Sequence, residues 1–120
     1  MIGVLILAHG SREKETETTL DQIMSMLEQR LQLENIEEAF LQFSAINLQQ
    51  GLVKLINRGA TDIKIIPYFL FEGVHIKEDI PHEIREFNKI YPDIKITLGK
   101  TLGADDRLAD ILADRVKELI

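Results

Sequence analysis

The chain opens on an almost unbroken apolar run, Ile2-Gly3-Val4-Leu5-Ile6-Leu7-Ala8, and the run stops at a histidine. A strand with one wet face alternates polar and apolar residues. Continuous apolarity marks a strand buried on both faces, the character of a central strand in a parallel sheet covered by helices. The rest of the chain keeps to that plan. Residues 12–33 read as a long amphipathic helix, with Leu20, Ile23, Met24, Leu27 and Leu31 at helical spacing and Ser11 as its N-cap. Residues 36–43 suit a second strand. Residues 47–58 suit a second helix, started by Asn47 and followed by Gly59 in the left-handed position.

Residues 62–67 form the clearest strand after the first, and Pro67 marks its exit from the sheet. A third helix fits residues 77–91, with Ile80, Ile84, Phe87 and Ile90 on one face and Pro81 in its first turn. Residues 94–98 suit a fourth strand. Residues 105–120 suit a last helix, capped by Asp105 or Asp106, with Leu108, Ile111, Leu112, Val116 and Leu119 expected to face inward.

Four βα units joined by short turns imply an α/β fold: a four-stranded parallel sheet with right-handed crossovers and helices on both faces. A length of 120 residues suits one domain, residues 1–120. A flavodoxin-like strand order of 2-1-3-4 sets strands 1 and 3 side by side at the switch point, where such sheets bind ligands.

Those two strands carry the candidate chemistry. His9 follows strand 1 and opens the turn His9-Gly10-Ser11-Arg12. His75 follows strand 3 within Gly73-Val74-His75-Ile76-Lys77-Glu78-Asp79-Ile80-Pro81. Imidazole binds transition metals and moves protons near neutral pH, so two imidazoles at adjacent strand ends suit one shared ligand. The plainer readings are a turn histidine bonded to backbone for His9 and a helix-start residue for His75. His82, one turn into the third helix among charged neighbours, reads as solvated surface. Gly10 allows close backbone approach, and the helix start after it offers free N–H groups to an anion. The loop Tyr68-Phe69-Leu70-Phe71 needs a flat ligand, a partner or a fold-back to cover its aromatics. Glu72 and Asp79 are candidates to supplement a metal site or orient an imidazole, and Glu78 reads as favourable helix N-terminal charge.

Composition narrows the function classes. With no cysteine there are no disulfides, thiolate nucleophiles or iron–sulfur ligands. A net charge of −6 argues against a general nucleic-acid binder but not against an anionic small molecule. The first apolar run has no basic segment before it and is too short for a membrane span, so a cytoplasmic location without membrane contact is expected.

Three segments together resemble the small class II chelatases of the short, single-lobe form. They are His9-Gly10-Ser11-Arg12, the long stretch from Pro67 to Pro81, and Leu102-Gly103-Ala104-Asp105-Asp106-Arg107-Leu108-Ala109. The resemblance covers essentially the whole chain, and the second segment is the specific one. It implies insertion of a divalent metal into sirohydrochlorin, a carboxylate-ringed tetrapyrrole. Co²⁺ for cobalamin by the anaerobic route is the expected metal, with Ni²⁺ for coenzyme F430 or Fe²⁺ for sirohaem as alternatives. No permanently bound cofactor is expected, because the metal is a substrate.

The resemblance further implies a homodimer and carries its two functional histidines onto His9 and His75, as metal ligands and proton acceptors. Glu72 is a candidate third ligand. Gly10, Ser11, Arg12, Tyr68, Phe69, Leu70, Phe71, Gly73 and Val74 are the expected substrate contacts. One segment departs from the family pattern: Gln42 and Ala45 stand where carboxylates are expected. That departure puts metal preference in question and motivates a rival reading, a non-catalytic metal or tetrapyrrole carrier.

Overall fold

A computed structural model gives the backbone of residues 1–120; the side chains of His75 and Ile76 lie outside the described residues. Four strands, β1 (Ile2–Ala8), β2 (Ile36–Phe40), β3 (Asp62–Pro67) and β4 (Lys95–Leu98), form one parallel sheet in the order β2-β1-β3-β4. This is the order expected from the sequence. β1 is central, and Val4 to Ala8 are all buried, as its continuous apolarity required.

The sheet is covered on two faces. On one, α1 (Glu15–Leu31) lays Leu20 and Met24 against Val4, Ile6, Ala8, Ile36 and Phe40. On the other, α2 (Leu48–Asn57) and α3 (Ile80–Ile90) bring Leu48, Leu52, Leu55, Ile80 and Phe87 against Leu5, Leu7, Ile63 and Ile65. Fully burying one such aliphatic side chain contributes roughly 1.5–3 kcal/mol, so these two clusters hold the lobe. A capping box between Asn47 and Gln50 starts α2, and Gly59 follows it at φ +103°, both at the expected places. A short π-helical turn, His75–Asp79, leads directly into α3. No helix among the described residues is long and apolar enough to cross a membrane.

Three local expectations change. α1 starts at Glu15, not at residue 12, and Ser11 does not cap it: the Ser11 hydroxyl accepts the Glu13 N–H at 3.0 Å in a preceding turn. β2 ends at Phe40, opposite Ala8, and the chain turns away soon after, with Phe43 left-handed at φ 58°.

The third change is larger. The last helix, α4 (Asp106–Lys117), begins as expected on Asp105, whose carboxylate accepts the Arg107 N–H at 2.9 Å. The paired Arg107 guanidinium holds that carboxyl well below the usual range. Yet α4 buries none of its residues, and Ile111, Leu112 and Val116 are 50%, 67% and 56% exposed. The reason lies in the sheet. On the α1 side, β3 and β4 present Asp62, Lys64, Lys95 and Thr97, with Lys64 paired to Asp62 at 3.0 Å. That bed is polar, so an apolar stripe gains nothing by lying on it. The radius of gyration, 15.4 Å, exceeds the ~13.5 Å of a compact chain of this length, as a projecting helix requires.

Glu38 on β2 sits between the sheet and α1. Burial first, then the carboxyl of Asp21, with Glu37 and Glu17 adding repulsion, push its pKa up from 4.5 to about 8. The folded state therefore keeps a proton that the unfolded chain releases near pH 4.5. The stability tied to that proton is complete below pH 4.5 and is lost as pH rises through about 8. Glu38→Gln, which mimics the protonated form, should be neutral at pH 4 and stabilising at pH 8.5. Solvent still reaches this carboxyl, so the gain is set at about 1 kcal/mol, roughly 4 °C in Tm. Thermal melts of both proteins across pH check this; equal Tm differences at all pH values would contradict it.

Candidate active site

The site grows out of the paired ends of β1 and β3. Leu7 is in register with Pro67, and the Tyr68 N–H donates to the Leu7 carbonyl at 2.7 Å. The next residues, His9 and Phe69, consequently emerge side by side. Their rings meet edge to face, with centroids 4.4 Å apart and planes at 79°. Phe69 is buried and His9 exposed, so a fixed apolar wall backs an accessible imidazole. On the other flank, the Leu41 N–H donates to the Ala8 carbonyl at 2.9 Å and the Gln42 N–H to the His9 carbonyl at 3.1 Å. Gly10 makes this clamp possible. Its φ is +86°, and a Cβ there would lie 2.0 Å from the Gln42 carbonyl oxygen.

His9 stands on the rim shared by two cavities. One, of about 530 Å³, is lined by Ala8, His9, Gly10, Ser11, Tyr68 and first-turn residues of α1, among them Thr16. The other, of about 470 Å³, is lined by His9, Leu41, Gln42, Asp79 and Glu83. Both volumes fall in the range of small-molecule sites.

The expected substrate contacts divide into groups. His9, Gly10, Ser11 and Tyr68 share the first cavity, and Phe69 supports it from behind. Arg12 lines neither cavity at His9; its guanidinium lies 5.0 Å from the centre of the Phe43 ring in a cation–π contact. Leu70 and Phe71 turn away and line a separate apolar groove of about 380 Å³ with Leu108, Ala109 and Leu112. Glu72, Gly73 and Val74 are exposed and line none of these three spaces. Ala45 lines a fourth, beside Glu38. His82 is exposed, as expected. The side chain of His75 lies outside the described residues. Among the described residues, no group of three or more His, Asp or Glu side chains could hold a metal ion.

Glu83 is the residue that reading the sequence passed over. The available signal was its spacing: it follows Asp79 by four and His75 by eight, the repeat of one helical face.

Comparison with known proteins agrees with this fold. The model of the CbiX family matches residues 3–119. A sirohydrochlorin ferrochelatase of Priestia megaterium is 35% identical over 98% of this chain, which spans 44% of that protein's length. A sirohydrochlorin cobaltochelatase of Sulfurisphaera tokodaii is 32% identical over 100% of this chain and 95% of its own. Among solved structures, the sirohydrochlorin chelatase SirB from Bacillus subtilis subspecies spizizenii, in complex with cobalt, superposes with a TM-score of 0.91 at 28% identity. It is matched over 98% of this chain and 50% of its own. The chain thus corresponds to a whole short relative and to half of the longer ones.

Proposed function

Since the chain belongs to the CbiX family, we propose that it is a sirohydrochlorin cobaltochelatase, inserting Co²⁺ into sirohydrochlorin for cobalamin synthesis. Residues 1–120 act as one chelatase domain in the cytoplasm. The observation that carries this reading is His9: an exposed imidazole, backed by Phe69, on the rim of an open cavity at the β1–β3 switch point. Cobalt is favoured over iron because the relative matched over nearly its full length, 95%, is a cobaltochelatase. The ferrochelatase of higher identity is matched over only 44% of its length.

The chemistry asks for three things. The aquated metal must shed water, the macrocycle must lose two pyrrole N–H protons, and four metal–nitrogen bonds must form, two of them at the deprotonated nitrogens, without redox change. His9, with His75 from the β3 side, holds the metal on one face of the ring, and whichever imidazole is free of metal accepts a proton. Ser11, the Arg12 guanidinium and the N–H groups before α1 bind peripheral carboxylates. Tyr68 walls the macrocycle beside His9. One lobe offers an open cavity, whereas a macrocycle needs walls on more than one side. The longer relatives, twice this chain's length, support a homodimer in which a second copy supplies the opposing wall.

The test is spectral. Sirohydrochlorin absorption is followed with each metal at matched free concentration. Turnover is expected with Co²⁺, with measurable turnover for Ni²⁺ and none for Mg²⁺, because imidazole suits the former and oxygen-rich sites the latter. Fe²⁺ outpacing Co²⁺ widely under anaerobic conditions would replace the cobalamin reading with sirohaem synthesis. Ni²⁺ doing so would favour coenzyme F430. Binding of macrocycle and metal without acceleration would make the protein a carrier.

A further inference from the structure

The sequence places Phe69 among the substrate contacts, yet the structure buries it and it lines neither cavity at His9. Its backbone is pinned on two sides. The Tyr68 N–H before it donates to the Leu7 carbonyl at 2.7 Å, and its own carbonyl accepts the Leu102 N–H at 2.9 Å. Its ring belongs to the core cluster that holds Leu5, Leu7, Leu48 and Ile80. The imidazole it meets is the reverse case. The His9 backbone is clamped by the Gln42 N–H, but its side chain is exposed and free to turn about χ1 and χ2 unless something stops it. A metal-site histidine is ordinarily aimed by a hydrogen bond from its second ring nitrogen. Among the described residues no hydrogen bond or ion pair reaches the His9 ring, and the edge-to-face contact with Phe69, centroids 4.4 Å apart, is the one ring contact it makes.

Resting on the chelatase reading, we propose that Phe69 is a positioning residue: its ring sets the direction of the His9 imidazole in place of a hydrogen bond. This replacement has a chemical consequence. A hydrogen-bonded orienting partner fixes one tautomer, so that only the other nitrogen offers a lone pair. An aromatic contact fixes direction and leaves the tautomer free. On a rim shared by both cavities, His9 then offers a lone pair from either nitrogen, to a metal or to a pyrrole proton, without turning its ring.

The test pairs Phe69→Leu with Phe87→Leu. Both phenylalanines sit in the same core cluster, 6% and 5% exposed, but Phe87 stacks on Tyr91 and lines neither cavity. Each variant should lower Tm by a similar amount. Only Phe69→Leu should lower kcat for Co²⁺ insertion, on the order of ten-fold, short of the ~100-fold that a misplacement of ~1 Å can cost. The KM for sirohydrochlorin should stay unchanged. In a His9→Ala background Phe69→Leu should reduce the residual rate no further, because its effect runs through His9. Nuclear magnetic resonance of the wild-type protein should show through-space magnetisation transfer between the two rings. The His9 ring resonances should move in Phe69→Leu and hold in Phe87→Leu. Phe69→Met, which fills irregular core space, is the second variant should Phe69→Leu not fold. An equal rate loss in Phe87→Leu, an added loss in the His9→Ala background, or a wild-type His9 ring without the transfer overturns the assignment. So does a rise in the KM for sirohydrochlorin with kcat unchanged, which would make Phe69 a macrocycle contact. A wild-type protein that inserts no metal, yet shows the transfer and the shift in Phe69→Leu alone, keeps Phe69 as the residue that aims His9 and discards the chelatase reading.

Discussion

His9→Ala should lower Co²⁺ insertion by at least about 100-fold, the lower end of what a positioned proton-transfer group contributes. Tm should barely move. The asymmetry follows from where the residue sits. Its backbone is held by the Gln42 N–H on its carbonyl, a bond that alanine keeps. Its ring is exposed and contributes to stability chiefly through one edge-to-face contact with Phe69. Such a contact contributes about 0.5–1.5 kcal/mol between aromatic side chains. Among the described residues only His9 lines both cavities, so its loss removes the imidazole that they share. Stopped-flow absorption with sirohydrochlorin and Co²⁺, beside thermal melts, separates the two effects. His82→Ala, on the exposed face of α3, serves as the control and should turn over normally. Wild-type turnover in His9→Ala would remove the assignment, and a large loss in His82→Ala would mean that the wrong histidine had been chosen.

The fold was legible because its strongest signals are local and redundant. The unbroken run before His9 names a central strand, Asn47 and Gly59 bracket α2, and Pro67 ends β3. Strand order then follows from connection rules, and with it the meeting of the β1 and β3 ends. Less legible were features set by long-range fit. Ser11 has the chemistry of a cap, but the reversal that Gly10 permits takes place first, so its hydroxyl closes an earlier turn. The Tyr68–Phe71 cluster looks uniform in sequence. In the structure Tyr68 faces the His9 cavity, Phe69 is buried behind the imidazole, and Leu70 and Phe71 line the α4 groove. In the sequence Glu83 is marked only by its spacing from Asp79 and His75. Only the packing of α3 against the β1 exit shows that it shares a volume with His9 and Gln42.

α4 is the clearest case in which periodicity was right and its consequence was not. The stripe Leu108, Ile111, Leu112 and Val116 is amphipathic, and a single lobe would bury it; here the polar bed of β3 and β4 refuses it. Its root is nonetheless fixed. The Leu102 N–H donates to the Phe69 carbonyl at 2.9 Å and the Gly103 N–H to the Leu70 carbonyl at 3.2 Å. The helix therefore projects from the loop that also walls the candidate site, and its stripe continues into Leu70 and the 80%-exposed Phe71. An apolar surface of this continuity marks an association site. In the proposed homodimer it seats the second copy beside the cavity. Leu112→Glu with Val116→Glu, one turn apart on the stripe, should convert the protein to a monomer at micromolar concentration. The lobe should stay folded, because neither side chain is buried against it. Insertion should fall with the dimer and recover as concentration rises. Light scattering, far-ultraviolet circular dichroism and chelation assays on the same samples decide the matter. A wild-type monomer under these conditions, or a dimer that survives both glutamates, would remove α4 from the interface.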